Sequence, residues 1–166
     1  MRRYLGWFYR PSAELLLRLP ERRRWQATRR SAGAPYPGGA ALPLSVRITS
    51  SQSSYRSRRL QDYLRHLGSY QHLCLGSALK SCLIAEGEAD LYPRFGPTGE
   101  WDTAAAQVIL EESGGYLTDM QLRPLRYNTR PVLINPDFFA FGDATRDWSQ
   151  YLPHHYHGLA VSTSSH

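Results

Sequence analysis

Between Leu44 and Phe141 the chain alternates apolar runs of strand length with helical stripes, and this rhythm constrains the fold more than any other feature. Leu44 to Thr49 alternates enough to form a strand. Leu60, Tyr63, Leu64 and Leu67 then fall at i, i+3, i+4 and i+7, one helix face, and Gly68 stands where such a helix ends. Ser53 or Ser54 is suited to cap its start. Ser77 can cap a second helix with Leu79, Cys82 and Leu83 inside, stopped near Gly87. Ala89 to Phe95 reads as a short strand, and Pro93 argues for an edge position or a strand end. Asp102 precedes a third helix carrying Ala104, Ala105, Val108, Ile109 and Glu112, closed by Gly114-Gly115. Tyr116 to Thr118 and Val132 to Ile134 are further strand candidates, and Phe138 to Phe141 is a weaker one. Strands alternating with helices indicate an α/β layer structure.

Upstream, Tyr4 to Tyr9 and Leu15 to Leu19 read as short strands around Arg10-Pro11-Ser12, and residues 28–43 form a Pro- and Gly-rich loop. The chain divides into 1–43, an α/β unit over 44–142, and a polar, His-rich tail over 143–166. Its 166 residues are one domain's worth, and 42% hydrophobic residues exclude a disordered composition. No apolar run reaches the ~20 residues of a membrane span, and Tyr4 to Tyr9 is too short for a secretory leader. Cys74 and Cys82 fit neither a disulfide framework nor zinc spacing. A reduced, cytoplasmic protein follows, with peripheral contact at the inner membrane as the alternative.

The net charge of +6 conceals an asymmetry. Residues 1–70 hold 14 Arg against Glu14, Glu21 and Asp62, whereas residues 71–166 hold Lys80 and five Arg against 11 acids. This implies an anion-binding surface or a domain missing its counter-charges. A nucleic-acid-binding module built on the Arg-rich half is the less favoured reading, since biased base composition also yields such a chain.

Three positions carry candidate chemistry. Asp102 at a helix start is suited to be an N-cap, and its carboxylate is also a hard donor for a divalent cation. Trp101 beside it would pack and fix the helix entry angle. Ser77 and Lys80, three apart on a first helical turn, make a plausible phosphate site with the free N–H groups there. Arg94 at a strand end can clamp a second phosphate through bidentate hydrogen bonds. His154, His155 and His157 lack the spacing and companions of a metal site.

The stretches Leu75-Gly76-Ser77-Ala78-Leu79-Lys80, Tyr92-Pro93-Arg94, Gly96-Pro97, Trp101-Asp102-Thr103-Ala104-Ala105 and Glu111 to Gly115 resemble one family. They are similar to the C-terminal half of the inositol-monophosphatase-like magnesium phosphatases. Leu79-Lys80 and Tyr92-Pro93-Arg94 narrow this to the bacterial 3′(2′),5′-bisphosphate nucleotidases of the CysQ type. The likeness runs from about Tyr4 to about Phe141, strongest over Leu75 to Gly115 and Pro124 to Asn128. It implies the layered α/β sugar-phosphatase fold and Mg²⁺-assisted hydrolysis of 3′-phosphoadenosine 5′-phosphate to AMP and phosphate, a step of sulfur assimilation. An inositol phosphate is the alternative substrate. By resemblance Gly76, Ser77, Lys80, Arg94 and Asp102 would face the bisphosphorylated nucleotide, and Asp102 would also ligate Mg²⁺.

Two departures matter. Gln52 stands where the family commonly places a substrate-facing histidine. The family's Glu-Glu pair and Asp-Pro-(Ile/Leu)-Asp-Gly-Thr motif, which supply most metal ligands and the water-activating group, have no match in this sequence. No catalytic residue is therefore assigned. The expectation is a truncated relative, inactive alone, that pairs with a complementary N-terminal half or with itself.

Overall fold

The computed structural model describes residues 45–76, 79–154 and 156, together with the backbone of two strands nearer the N-terminus. Those two, β1 (Glu14–Arg18) and β2 (Arg24–Thr28), pair antiparallel as a separate two-stranded sheet, Leu16 opposite Gln26. The strand expected over Tyr4 to Tyr9 and the loop expected over 28–43 lie outside the described residues, except for Thr28 in β2.

The main sheet has five strands in the order β4-β3-β5-β7-β6. They are β3 (Val46–Ser50), β4 (Tyr70–Cys74), β5 (Leu91–Arg94), β6 (Tyr116–Asp119) and β7 (Phe138–Phe141). β3 runs parallel to β4 and β5, and β7 antiparallel to both β5 and β6. Only β7 opposes the others. The helices are α1 (Gln52–Tyr55), α2 (Arg58–Leu67), α3 (Leu79–Glu86) and α4 (Ala104–Glu112).

Side chains alternate across a strand, so the buried sheet feeds two cores. Leu91, Phe139 and Phe141 join Leu60, Tyr63, Leu64 and Leu67 of α2 on one face. Tyr92, Leu117, Phe138 and Ala140 meet Ile84 of α3 and Leu110 of α4 on the other. The result is three layers, the α/β architecture that the alternation implies.

Several local expectations change. The start of α2 is capped by Ser57, whose hydroxyl accepts from the Leu60 N–H at 3.3 Å, because Ser51 to Tyr55 form their own short turn. Strand β4 is not signalled by the sequence pattern. As an edge strand, half exposed, it mixes Tyr70, Gln71 and His72 without clean alternation. Pro93 is the next-to-last residue of β5, at a strand end as expected, although β5 is an interior strand and not an edge. The β3–β5 ladder has its one pair at Ile48↔Leu91, short of Pro93. Val132 to Ile134 is no strand. Only Ile134 bridges, to Gly99, and Val132 and Leu133 are exposed. The buried residues of α3 are Lys80, Ser81, Cys82 and Ile84, so Leu79 and Leu83 lie at the margin of that face.

The tail expected from Asp143 is packed over its first part. Trp148 opens the 3₁₀ turn Trp148–Tyr151 and is fully buried, its indole N–H donating to the Asp143 carbonyl at 3.0 Å. Tyr63 donates to the Trp148 carbonyl at 2.9 Å. The Arg146 guanidinium sits 4.9 Å and 5.0 Å from the Trp148 and Tyr151 ring centroids, a cation–π arrangement. Further on, Tyr156 and Arg59 both donate to the buried carboxylate of Asp137, which also accepts the Gly96 N–H at 2.7 Å.

Candidate active site

In open α/β sheets, ligands gather beyond the carboxyl ends of parallel strands. Here β3, β4 and β5 end side by side at Ser50, Cys74 and Arg94. The helix entered after β4 brings Lys80 to this rim, and the one entered after β5 is preceded by Asp102.

Lys80 occupies the first turn of α3 and is only 5% exposed. Its ammonium lies 5.0 Å from the centroid of the Tyr92 ring. Burial pushes the ammonium below its ordinary pKa and the Arg94 charge adds to this, while Cys74 and Asp102 act the other way. Burial likewise raises the Tyr92 phenol to about 12. Lys80, Arg94, Asp102, Cys74 and Tyr92 thus share one electrostatic neighbourhood.

Arg94 is held from three sides. Its Nε donates to the Thr98 hydroxyl at 2.9 Å, Nη2 to the Pro97 carbonyl at 3.0 Å, and Nη1 to the Ser54 hydroxyl. A guanidinium carries five N–H donors, so those three bonds fix the plane and leave two donors for a ligand. The sequence does not mark Ser54 or Thr98 as partners of Arg94, since they lie in α1 after β3 and on the loop after β5.

Asp102 is not the cap of α4. It closes the 3₁₀ turn Glu100–Asp102, and Thr103 takes the N-cap position, its carbonyl accepting from Gln107 N–H at 2.8 Å. The Asp102 side chain is exposed. Trp101 is not packed into the core either, being 69% exposed with its ring lying across Gly99. A Cβ at Gly99 would come within 2.3 Å of that ring, so a larger residue there would displace Trp101 from this position. Among the described residues no atom lies within 4 Å of a Cβ placed at Gly76. Ser77 lies outside the described residues, as do His155 and His157, whereas His154 is exposed.

At the β4 side of the rim the Ser50 hydroxyl and His72 Nε2 are 2.8 Å apart. The imidazole stacks on Tyr55 at 3.8 Å, and Tyr55 and Tyr70 share a hydroxyl–hydroxyl bond of 3.1 Å. Burial lowers the His72 pKa, with a hydrogen bond donated by the ring to the Ser50 backbone opposing it. Gln52 accepts from the Cys74 thiol at 3.3 Å.

The family model for the inositol monophosphatase family matches residues 26–152. The chain belongs to this family. The 3′(2′),5′-bisphosphate nucleotidase CysQ of Escherichia coli is 47% identical over 85 residues, 51% of this chain and 35% of the relative. The protein of that name from Haemophilus influenzae is 44% identical over 108 residues, 64% of this chain and 38% of the relative. The chain therefore spans little more than a third of the length of these curated relatives. The crystal structure of CysQ from Bacteroides thetaiotaomicron superposes with a TM-score of 0.53 at 35% identity, covering 62% of this chain and 39% of that one. An inositol monophosphatase from Zymomonas mobilis shares the fold at TM-score 0.53 and 21% identity.

The family's metal-dependent chemistry needs a donor set, and the described residues do not provide one. Mg²⁺ takes about six oxygen ligands in near-octahedral geometry. Asp102 supplies one exposed carboxylate, and among the described residues no group of three or more His, Cys, Asp or Glu side chains is placed to hold a cation. These residues do not fit a resident Mg²⁺.

Proposed function

We propose that this chain carries the substrate-gripping rim of a CysQ-like bisphosphate nucleotidase and has no catalytic turnover alone. The feature behind this reading is the placement of Lys80, on the first turn of the helix after β4, and Arg94, at the end of β5, within motifs similar to those of the nucleotidases. Lys80 offers a point charge on a first helical turn. Arg94 offers two oriented N–H groups. Together they can meet two separate phosphates at once, as in 3′-phosphoadenosine 5′-phosphate, where an inositol monophosphate supplies one. The Lys80 ammonium lies over the Tyr92 ring, and Ser54 and Thr98 keep Arg94 from turning away. Gly76 leaves room for a phosphate to approach the backbone. Asp102 would belong to a metal site completed by carboxylates on another polypeptide, a complementary N-terminal half.

Calorimetric titration of the chain, Lys80→Ala and Arg94→Ala with 3′-phosphoadenosine 5′-phosphate and inositol monophosphate tests the grip. The bisphosphate should bind more tightly, and each substitution should weaken it about ten-fold or more, the cost of a charge-assisted hydrogen bond worth roughly 1.5–3 kcal/mol. Equal affinities across ligands and variants would overturn the reading. Phosphate release with Mg²⁺ should stay at background. Water that is not metal-bound keeps a pKa near 15.7 instead of about 7.

A further inference from the structure

A cavity of about 720 Å³ opens beyond the carboxyl end of β6, and none of Gly76, Lys80, Arg94 or Asp102 lines it. Its size falls within the roughly 300–1,000 Å³ of small-molecule sites. Arg123, Arg126 and Arg130 line it together with the carboxylates of Asp119 and Asp137. Both carboxylates are already engaged. Asp119 accepts from the backbone N–H of Gln121 and of Arg123 and from the Arg123 side chain, at 2.8–3.0 Å. Asp137 accepts from Gly96, Arg59 and Tyr156. The guanidiniums are less evenly matched. Arg130 donates to the Ile134 carbonyl at 3.0 Å and forms a long ion pair, 3.9 Å, with the buried Glu100 carboxylate. Arg126 is exposed and has no hydrogen bond or ion pair among the described residues. The charge left over in this cavity is positive.

The segment carrying Arg126 is pinned on both sides. Asp119 N–H donates to the Arg123 carbonyl at 2.8 Å, and Asn128 N–H donates to the buried Glu100 carboxylate at 2.8 Å. Leu122 and Asn128 have φ of 61° and 54°, left-handed positions that turn the chain around the opening. The fixed ends lower the ordering cost of binding. Pro124, Pro136 and Tyr156 add apolar surface.

We propose that this cavity binds a small organic anion. A phosphate or carboxylate group would be held by the forks of Arg126 and Arg130, with a ring or short apolar body against Pro124, Pro136 and Tyr156. Guanidinium suits both head groups because two parallel N–H donors match two oxygens. The inference is independent of the nucleotide reading.

Calorimetric titration at low salt with two probes, phenyl phosphate and benzoate, tests it and separates the head groups. At least one probe should saturate the chain, Arg126→Ala should weaken that binding about ten-fold or more, and Arg126→Lys should fall between. Lys80→Ala should leave this Arg126-dependent binding unchanged, any phosphate held at the rim appearing as a separate event that Arg126→Ala does not move. Neither probe binding below about 10 mM, or equal affinity in Arg126→Ala, would overturn the proposal. So would a loss in Lys80→Ala with none in Arg126→Ala, which would put the anion on the rim.

Discussion

Asp137 and Asp102 stand at the centres of two differently built regions. Asp137 is buried and takes three donors, the Gly96 N–H, Arg59 and Tyr156, so its charge is consumed by the fold. Asp102 is exposed at the end of a 3₁₀ turn, and its carboxylate accepts no hydrogen bond among the described residues. The same contrast separates Arg59, whose guanidinium also lies over the Phe95 and Tyr156 rings, from Arg94, which keeps two donors in reserve. A region whose polar groups are all matched holds the structure together. One that holds Arg94 with two donors to spare and Asp102 exposed is available for a ligand.

That contrast can be broken at several points. Trp148→Ala should cost the most, about 3–5 kcal/mol for emptying a fully buried indole site, measured by denaturant unfolding. Asp137→Ala should cost about 3 kcal/mol, at the lower end for broken buried pairs because Arg59 can reach water. Asp102→Ala should change stability by less than about 0.5 kcal/mol, as exposed positions do. A large loss there would mean that Asp102 is structural after all. The smallest effect concerns pH. His72 has a lowered pKa in the folded state, so the unfolded chain binds the extra proton first. Its contribution is fully present above about 6.5 and declines as pH falls from there toward the folded value. The melting temperature should drop slightly between pH 7.5 and 5.5, and His72→Gln should flatten that slope.

The sequence made the spine of this fold legible where burial imposes a period. Leu60, Tyr63, Leu64 and Leu67 do face the core from one helix, and Gly68 ends it at φ 90°. Gly114 likewise turns out of α4 at φ 85°. Legibility fails where partners are distant. Nothing local to Phe138–Phe141 says that it is buried on both faces between β5 and β6. Trp148, Tyr151 and Tyr156 lie in a polar, His-rich stretch, and contacts with residues distant in sequence, among them Tyr63, Phe95, Phe141 and Arg59, draw that stretch onto the core. At the rim, the Ser77–Lys80 spacing marks a helix start, but the Tyr92 ring under Lys80 depends on how α3 crosses the sheet. The Arg-rich first half reads as an anion surface, yet Arg47, Arg59 and Arg65 are ion-paired with Asp90, Asp137 and Asp62. Their charge is less available than their number suggests.

The central claim is that the rim grips phosphate through Lys80 and Arg94 without a metal of its own. Titration of the chain with 3′-phosphoadenosine 5′-phosphate, once in EDTA and once in Mg²⁺, tests this most directly, with Lys80→Ala and Asp102→Ala run alongside. The affinity should be the same in both buffers, fall about ten-fold in Lys80→Ala, and hold or rise slightly in Asp102→Ala as a negative charge is removed. Binding that appears only with Mg²⁺ and vanishes in Asp102→Ala would contradict the account.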